Sequence, residues 1–238
     1  MNKVITLTFD YEIYFKDNNV SFDEVLFNPT QRLLKIAKDT QSKFLFYIDI
    51  MCLIAFEREC PNSEFIPKFI NQVKDLEENG MEIGFHFHPH WHDSRVENGS
   101  WSHSYNNWDY SRLIKNIGRD EALKVLQQAY ERLSTMVDNK VTIHRAGGLS
   151  ISRSMKEYLD DLYKIGIHYD SSILPGRKYI SPIQNYDFLN IEIGQKKQLS
   201  NIHEVYISVI EKTFLGTILH IVSHTLSKLF KSYPKKGT

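Results

Sequence analysis

Met81-Glu82-Ile83-Gly84-Phe85-His86-Phe87-His88-Pro89-His90-Trp91 decides how the rest of the chain is read. Ile83, Phe85 and Phe87 alternate with Gly84, His86 and His88, which is the period of a strand. Successive strand side chains point to opposite faces, so His86 and His88 share one face and the phenylalanines the other. Pro89 has no N–H to give to a ladder, so the strand is expected to end there. Two imidazoles then converge at a strand end where a loop opens, as a transition-metal site requires. The plainer alternative is a pair of surface histidines at a strand exit. The other strand ends decide between the two.

Outward from this stretch the same pattern recurs. Val4 to Phe9 is β-branched and apolar, reads as a buried strand, and ends at Asp10-Tyr11-Glu12. Phe44 to Ile48 is a second strand ending at Asp49. Val141-Thr142-Ile143 runs into His144-Arg145-Ala146-Gly147-Gly148, and Ile167-His168-Tyr169 ends at Asp170. Helices are expected between them. Asn28 reads as an N-cap before Pro29, with Leu33, Leu34, Ile36 and Ala37 as an apolar face. Phe65, Phe69, Ile70, Val73 and Leu76 keep helical spacing up to Gly80, a good C′ residue. Ala122 to Val137 is the clearest helix, and Ser152 begins another that runs to Gly166. Strand and helix alternate at least four times, which calls for an α/β fold of parallel strands with right-handed helical crossovers. Val205–Val209 and Leu215–Val222 read as late strands, and Leu226, Leu229 and Phe230 as a terminal helix.

Two segments carry no period. Residues 90 to about 110 hold Trp91, Trp101, Tyr105, Trp108 and Tyr110, and a loop this long in a compact domain is usually functional. Its tryptophans suit stacking on sugar rings. Residues 171 to 200 are expected to be irregular, with Pro175, Gly176 and Pro182.

Composition narrows the function classes. The 238 residues are read as one domain, 1–238, large enough to bury a sizeable core. The formal net charge is zero, so nothing electrostatic favours nucleic acid or an anionic membrane surface. Cys52 and Cys60 are too few and too close for a disulfide framework. No apolar run reaches about 18 residues, so no membrane span is expected, and a cytoplasmic protein is the expectation.

In parallel α/β folds the C-terminal strand ends share one rim, and active sites sit there. The rim here is expected to collect Asp10 and Glu12, Asp49, His86 and His88, Arg145 and Asp170. Asp10 and Glu12 lie at i and i+2 and can face the same side, one binding metal while the other acts as a base. Asp49 alone can equally cap the next helix, and Asp170-Ser171-Ser172 can be a turn. The glycines after Arg145 admit close backbone approach to a ligand. Of His220 and His224, one is a candidate acid.

With these residues in hand, the chain resembles the polysaccharide deacetylase family with the NodB-homology domain (carbohydrate esterase family 4), from about residue 4 to 225. Thr8-Phe9-Asp10-Tyr11-Glu12 is similar to that family's Thr-Phe-Asp-Asp motif, and Gly80 to His86 to its Gly-His-Glu-Ile-Gly-Asn-His segment. Arg145-Ala146-Gly147-Gly148 takes the place of Arg-Pro-Pro-Tyr, and Tyr169-Asp170-Ser171-Ser172 is similar to a frequent Tyr-Asp-Ser-Ser. The His-x-His-Pro-x-Trp form is closer to divergent members found with surface-polysaccharide genes, such as those for lipopolysaccharide or capsule.

The resemblance implies a deformed (β/α) barrel of about seven parallel strands. It also implies a divalent metal, expected to be Zn²⁺, and hydrolysis of the N-acetyl group of an amino sugar in a glycan or glycan precursor. Asp10 would be the general base, oriented by Arg145, and His224 the acid, with Leu219-His220 the other match to the family's last element. Tyr11 stands where the family has its metal-binding second aspartate, so Glu12 or Asp49 is expected to replace it, or Asp10 itself binds the metal. The family spacing points to His90 as second imidazole, whereas strand alternation favours His88. The expected ligand set is therefore Glu12, His86 and His88, with His90 and Asp49 as alternates. Trp91, Gly148 and Asp170 are expected at the substrate. Two rivals are a metallohydrolase of the amidohydrolase or phosphoesterase type and a glycan-binding protein that has lost catalysis on the same fold.

Overall fold

The structure is a computed structural model and describes residues 6–13, 21–151, 155–191, 198–199 and 201–208. Strand β1, Leu7–Tyr11, is followed by a π-helical turn, Asp23–Phe27, and helix α1, Asn28–Thr40. Strand β2, Phe44–Asp49, leads directly into α2, Ile50–Glu59, then α3, Phe65–Glu78, and β3, Glu82–Phe87. A short hairpin of β4, Arg95–Glu97, and β5, Ser100–Ser102, precedes α4, Tyr110–Ile117, and α5, Arg119–Ser134. Then come β6, Ile143–Ala146, α6, Met155–Lys164, and β7, Tyr169–Asp170. A second hairpin pairs β8, Lys178–Ile180, with β9, Asn185–Asp187, and the last described strands are β10, Gln198–Leu199, and β11, Ile202–Glu204.

The main sheet has the order β1-β2-β3-β6-β7-β11-β10. The first six strands in that order run parallel, and the first five are joined by helical crossovers, which is the α/β class expected from the alternation. The seventh, β10, is antiparallel to β11. Only residues 200 and 201 separate the two, and a parallel return needs a crossover of a dozen residues or more. These elements all belong to one compact unit, Met1–Ile207. Among the described residues, no helix is long and apolar enough to cross a membrane.

Register fixes what faces where. Asp10, Tyr47 and Gly84 lie side by side on β1, β2 and β3. Asp49, His86 and Arg145 form the next row toward the C-terminal ends, on β2, β3 and β6. The two rows are two residues apart along the strands, so all six positions face the same side. The intervening row, Tyr11, Ile48, Phe85, His144 and Asp170, faces the other way and is buried. Tyr11 there packs edge-on against Phe69 of α3, ring centroids 5.0 Å apart, and its hydroxyl donates to Gln72 at 2.9 Å.

Several elements differ from the sequence reading. Asn28 is helical, at φ −67° and ψ −42°, rather than a cap. The helical path begins near Ser21, whose carbonyl accepts from Glu24 and Val25. Pro29 has no N–H to give, and the wider π turn ends just before it, where the regular α ladder is interrupted. Helix α2 escaped the periodicity search because Ile50, Met51, Cys52, Leu53, Ala55 and Phe56 are all buried, which leaves no polar stripe to mark a period. Asp49 caps it, accepting from the Cys52 N–H at 3.4 Å. Residues 178–187, expected to be irregular, form the β8–β9 hairpin, whose mostly exposed residues show no apolar alternation. Of the late segment Val205–Val209, residues 205–208 follow β11 outside any strand, although Val205 and Ile207 still donate to Asp170 and Ile173. Leu215–Val222, the terminal helix and Ser152 lie outside the described residues.

Behind the sheet, the fully buried Asp161 of α6 joins three helices. It accepts from Tyr110 at 3.1 Å, Arg119 at 3.2 Å and Lys164 at 2.7 Å. On the other flank Phe69 is buried and holds Tyr11, the residue just before Glu12. Phe69→Ala is expected to cost about 3–5 kcal/mol of stability, read from urea denaturation, whereas Phe69→Leu costs clearly less.

Candidate metal centre and cavity

The alternation of β3 carries His86 and His88 to one face, as Phe85 and Phe87 pack into the core. Glu12, just past the end of β1, reaches the same place. Its Oε2 lies 2.6 Å from His88 Nε2 and 3.3 Å from His86 Nε2. The potential ligand atoms of Glu12, His86 and His88 all lie within 4.8 Å of one another, and this is the one such cluster among the described residues. Both imidazoles are buried, and the Glu12 side chain is 34% exposed.

The chemistry of the donors fits a cation. His86 Nδ1 is 2.8 Å from the Arg145 carbonyl oxygen, which can only accept, so Nδ1 carries the proton. A neutral His86 then presents a bare Nε2 lone pair to the Glu12 carboxylate. Two acceptors in contact need a proton or a metal ion between them. The local field points the same way. Burial opposes the imidazolium of His86, but the carboxylates of Asp10, Glu12 and Asp49 outweigh it and push its pKa up to about 9. Burial likewise works against an ionised Glu12, yet His88 and His86 hold its carboxyl well below the usual range. The pocket stabilises positive charge between these groups, of the kind a divalent ion would supply.

Beside the cluster, Arg145 pairs with Asp10 through Nη1 at 2.7 Å. Its Nη2 donates to Thr8 Oγ1 at 3.0 Å and its Nε to the Ser171 carbonyl at 2.9 Å. A cavity of about 600 Å³ opens over this floor. Asp10, Glu12 and His88 line its base, Tyr105 and Trp108 one wall, and Tyr179, Ser181 and Gln184 of the β8–β9 hairpin another. Gly148 also lines it, in a left-handed conformation at φ +57°, and its carbonyl accepts from Gln184 Nε2.

The structure thus brings together Asp10, Glu12, His86, His88, Arg145 and Gly148. It places the other expected residues elsewhere. His90 is fully buried and stacked on Trp108, ring centroids 5.3 Å apart and 24° from parallel, outside the ligand cluster. Pro89 starts a 3-10 turn, which breaks the alternation that would have returned residue 90 to the site. Asp49 lies beneath it, fully buried, accepting from Trp91 Nε1 at 2.8 Å. Trp91 is itself fully buried and packs edge-on against Trp101, away from the cavity lining. Asp170 is on the opposite face of the sheet, where it meets His144 Nδ1 at 2.6 Å and Ser172 Oγ at 2.9 Å. His220 and His224 lie outside the described residues.

The hairpin wall was missed, because exposed short strands lack a pattern. The β4–β5 hairpin had a signal: Asn98 and Gly99, at φ 51° and 76°, make the Asn-Gly turn that two-residue hairpins favour. Gly147 has a role that only the structure shows. A Cβ there would sit 2.5 Å from His88 Nδ1, so only glycine leaves room for the imidazole.

Two solved structures share the course of the chain in part. One is described as a polysaccharide deacetylase from Mycobacterium smegmatis, with 13% identity and a TM-score of 0.46 over 85% of this chain and 58% of that one. The other is the polysaccharide deacetylase Bc1974 from Bacillus cereus, with 17% identity and a TM-score of 0.41 over 74% of this chain and 62% of that one. The chain therefore spans under two thirds of the length of either. No protein-family profile matches the sequence, and no curated protein matches it.

Two outcomes follow from the geometry. Gly147→Ala is expected to displace His88 and weaken Zn²⁺ binding at least about tenfold, measured by competition with a chromophoric chelator, and to lower the stability of the metal-free protein by about 1–3 kcal/mol, read from urea denaturation. Burial raises the Asp49 pKa to about 6, partly offset by His88 and His86. A carboxyl with a raised folded-state pKa favours folding when protonated, so its contribution is lost as pH rises toward that value. In chelator-treated protein, Asp49→Asn lacks this loss. Its stability relative to the parent protein is expected to rise by about 1 kcal/mol between pH 5 and pH 7, read from paired denaturation curves.

Proposed function

We propose that this protein is a metal-dependent hydrolase that removes N-acetyl groups from an amino sugar in a glycan or glycan precursor. The observation that carries the reading is the Glu12–His86–His88 cluster set beside the Asp10–Arg145 ion pair, with Glu12, His88 and Asp10 lining one cavity. Glu12, His86 and His88 would hold the ion, for which Zn²⁺ suits two nitrogens and one oxygen. A bound Zn²⁺ acts as a Lewis acid and lowers the pKa of water to about 7.

Asp10 is the base in this reading. It lines the cavity with one third of its side chain exposed, and its Oδ1 accepts from Arg145. The guanidinium fixes the carboxylate in place, so that it can take a proton from the attacking water. The amide carbon–nitrogen bond breaks, acetate leaves, and the amine takes a proton. His224 is proposed to donate it, with His220 as the other candidate. The backbone N–H of Gly148 is proposed to stabilise the negative charge that develops on the acetyl oxygen. Tyr105, Trp108 and Tyr179, rather than Trp91, are the aromatic surfaces available to a sugar ring, because they line the cavity. A surface-polysaccharide substrate, of the lipopolysaccharide or capsule kind, is the class proposed.

The test is acetate release from N-acetylated oligosaccharides and N-acetylated sugar nucleotides, with Zn²⁺-loaded and chelator-treated protein. Release is expected only from the loaded form. His86→Ala and His88→Ala are expected to lose stoichiometric zinc and activity together. Asp10→Asn is expected to keep zinc while kcat falls at least about a hundredfold. Zinc-loaded protein that releases no acetate from any of these substrates overturns the reading. Sugar binding that survives His86→Ala would point to a glycan-binding protein instead.

A further inference from the structure

Arg145 is 5% exposed, and the donors along the edge of its guanidinium are directed at Asp10, Thr8 and Ser171. Those bonds fix the plane at its rim. They do not support its face. That support comes from Tyr47 on β2, whose fully buried ring lies 4.1 Å from the guanidinium carbon.

The ring gets there by leaning across β3. Gly84 is its direct neighbour in register. A Cβ at Gly84 would lie 2.6 Å from Cδ1 and 2.8 Å from Cε1 of Tyr47, closer than carbon atoms approach. The backbone does not require glycine there, since Gly84 is absent from the positive-φ residues. What requires it is the space taken by the ring. Beyond the missing side chain, one pleat further along on β6, is Arg145.

We propose that Tyr47 is a positioning residue: its ring, admitted by Gly84, is the platform that holds the Arg145 guanidinium flat against Asp10. The consequence for catalysis rests on the deacetylase reading above, but the platform itself does not. A cation over an aromatic face is attracted by the ring quadrupole, more strongly where water is excluded, and a flat guanidinium stacks on it well. An aliphatic side chain in that place would fill volume and leave the guanidinium free to tilt.

The experiment pairs a spectroscopic readout with kinetics on zinc-loaded full-length protein. With ¹⁵N- and ¹³C-labelled arginine, the side-chain signals of Arg145, assigned by their disappearance in Arg145→Lys, are expected to be shifted upfield by the ring current. The shift should persist in Tyr47→Phe and vanish in Tyr47→Leu. In acetate release, Tyr47→Leu and Gly84→Ala are each expected to lower kcat about tenfold with KM changed less than about twofold, and Tyr47→Phe to stay within about twofold. In an Arg145→Lys background the Tyr47→Leu loss should shrink below about threefold, since the platform then has no guanidinium to hold. An Arg145 signal without the upfield shift overturns the inference whatever the activity. An equal kinetic loss in both backgrounds overturns it as well, because Tyr47 is then only packing. If the shift is present but the unsubstituted protein releases no acetate, the platform stands and the deacetylase reading falls.

Discussion

A guanidinium taken out of water must meet acceptors on nearly all of its donors, or the fold cannot hold it. Arg145 satisfies that demand with groups from three other parts of the chain: Thr8 and Asp10 on β1, the ring of Tyr47 on β2, and Ser171 just after β7. Its own carbonyl accepts from His86 on β3. One residue therefore ties five neighbouring strands of the sheet at the level of the site. It sets the position of Asp10 through its side chain and the tautomer of His86 through its main chain. Asp10 and His86 are coupled because they share this anchor.

The pleat does the sorting. Residues two apart along β1, β2 and β3 deliver Asp10 and Glu12, Tyr47 and Asp49, Gly84, His86 and His88 to one side. Residues between them go to the core. As the residue between Asp10 and Glu12, Tyr11 turns into the core against Phe69, and Glu12 returns to the site one position later. Small residues complete the arrangement by what they leave out. Gly84 gives way to Tyr47 and Gly147 gives way to His88.

Much of this was legible before any coordinates. The alternation around His86 and His88, the polar residues after apolar strands, and the strand–helix succession all follow from local periodicity. Local periodicity failed where burial was complete or absent. Helix α2 is apolar on nearly every side and shows no period, while β8 is exposed, β9 is half-buried, and neither shows alternation. Trp91 and Trp108 are indistinguishable as tryptophans in an unpatterned loop. One bonds to Asp49 beneath the site and the other lines the cavity, and that depends on the path of the 3-10 turns between them.

The sequence by itself determined the α/β class and the parity of each strand residue, because both rest on repeat distances of two and about 3.6 along the chain. It left open which of His88 and His90, and which of Glu12 and Asp49, come to lie beside His86. Only the tertiary structure shows that Glu12 and His88 do so. Residues distant in sequence meet by strand order and register, which are set by the packing of the whole sheet. Glu12 and His88 are 76 residues apart, and their 2.6 Å contact is a property of β1, β2 and β3 lying side by side, not of any local pattern.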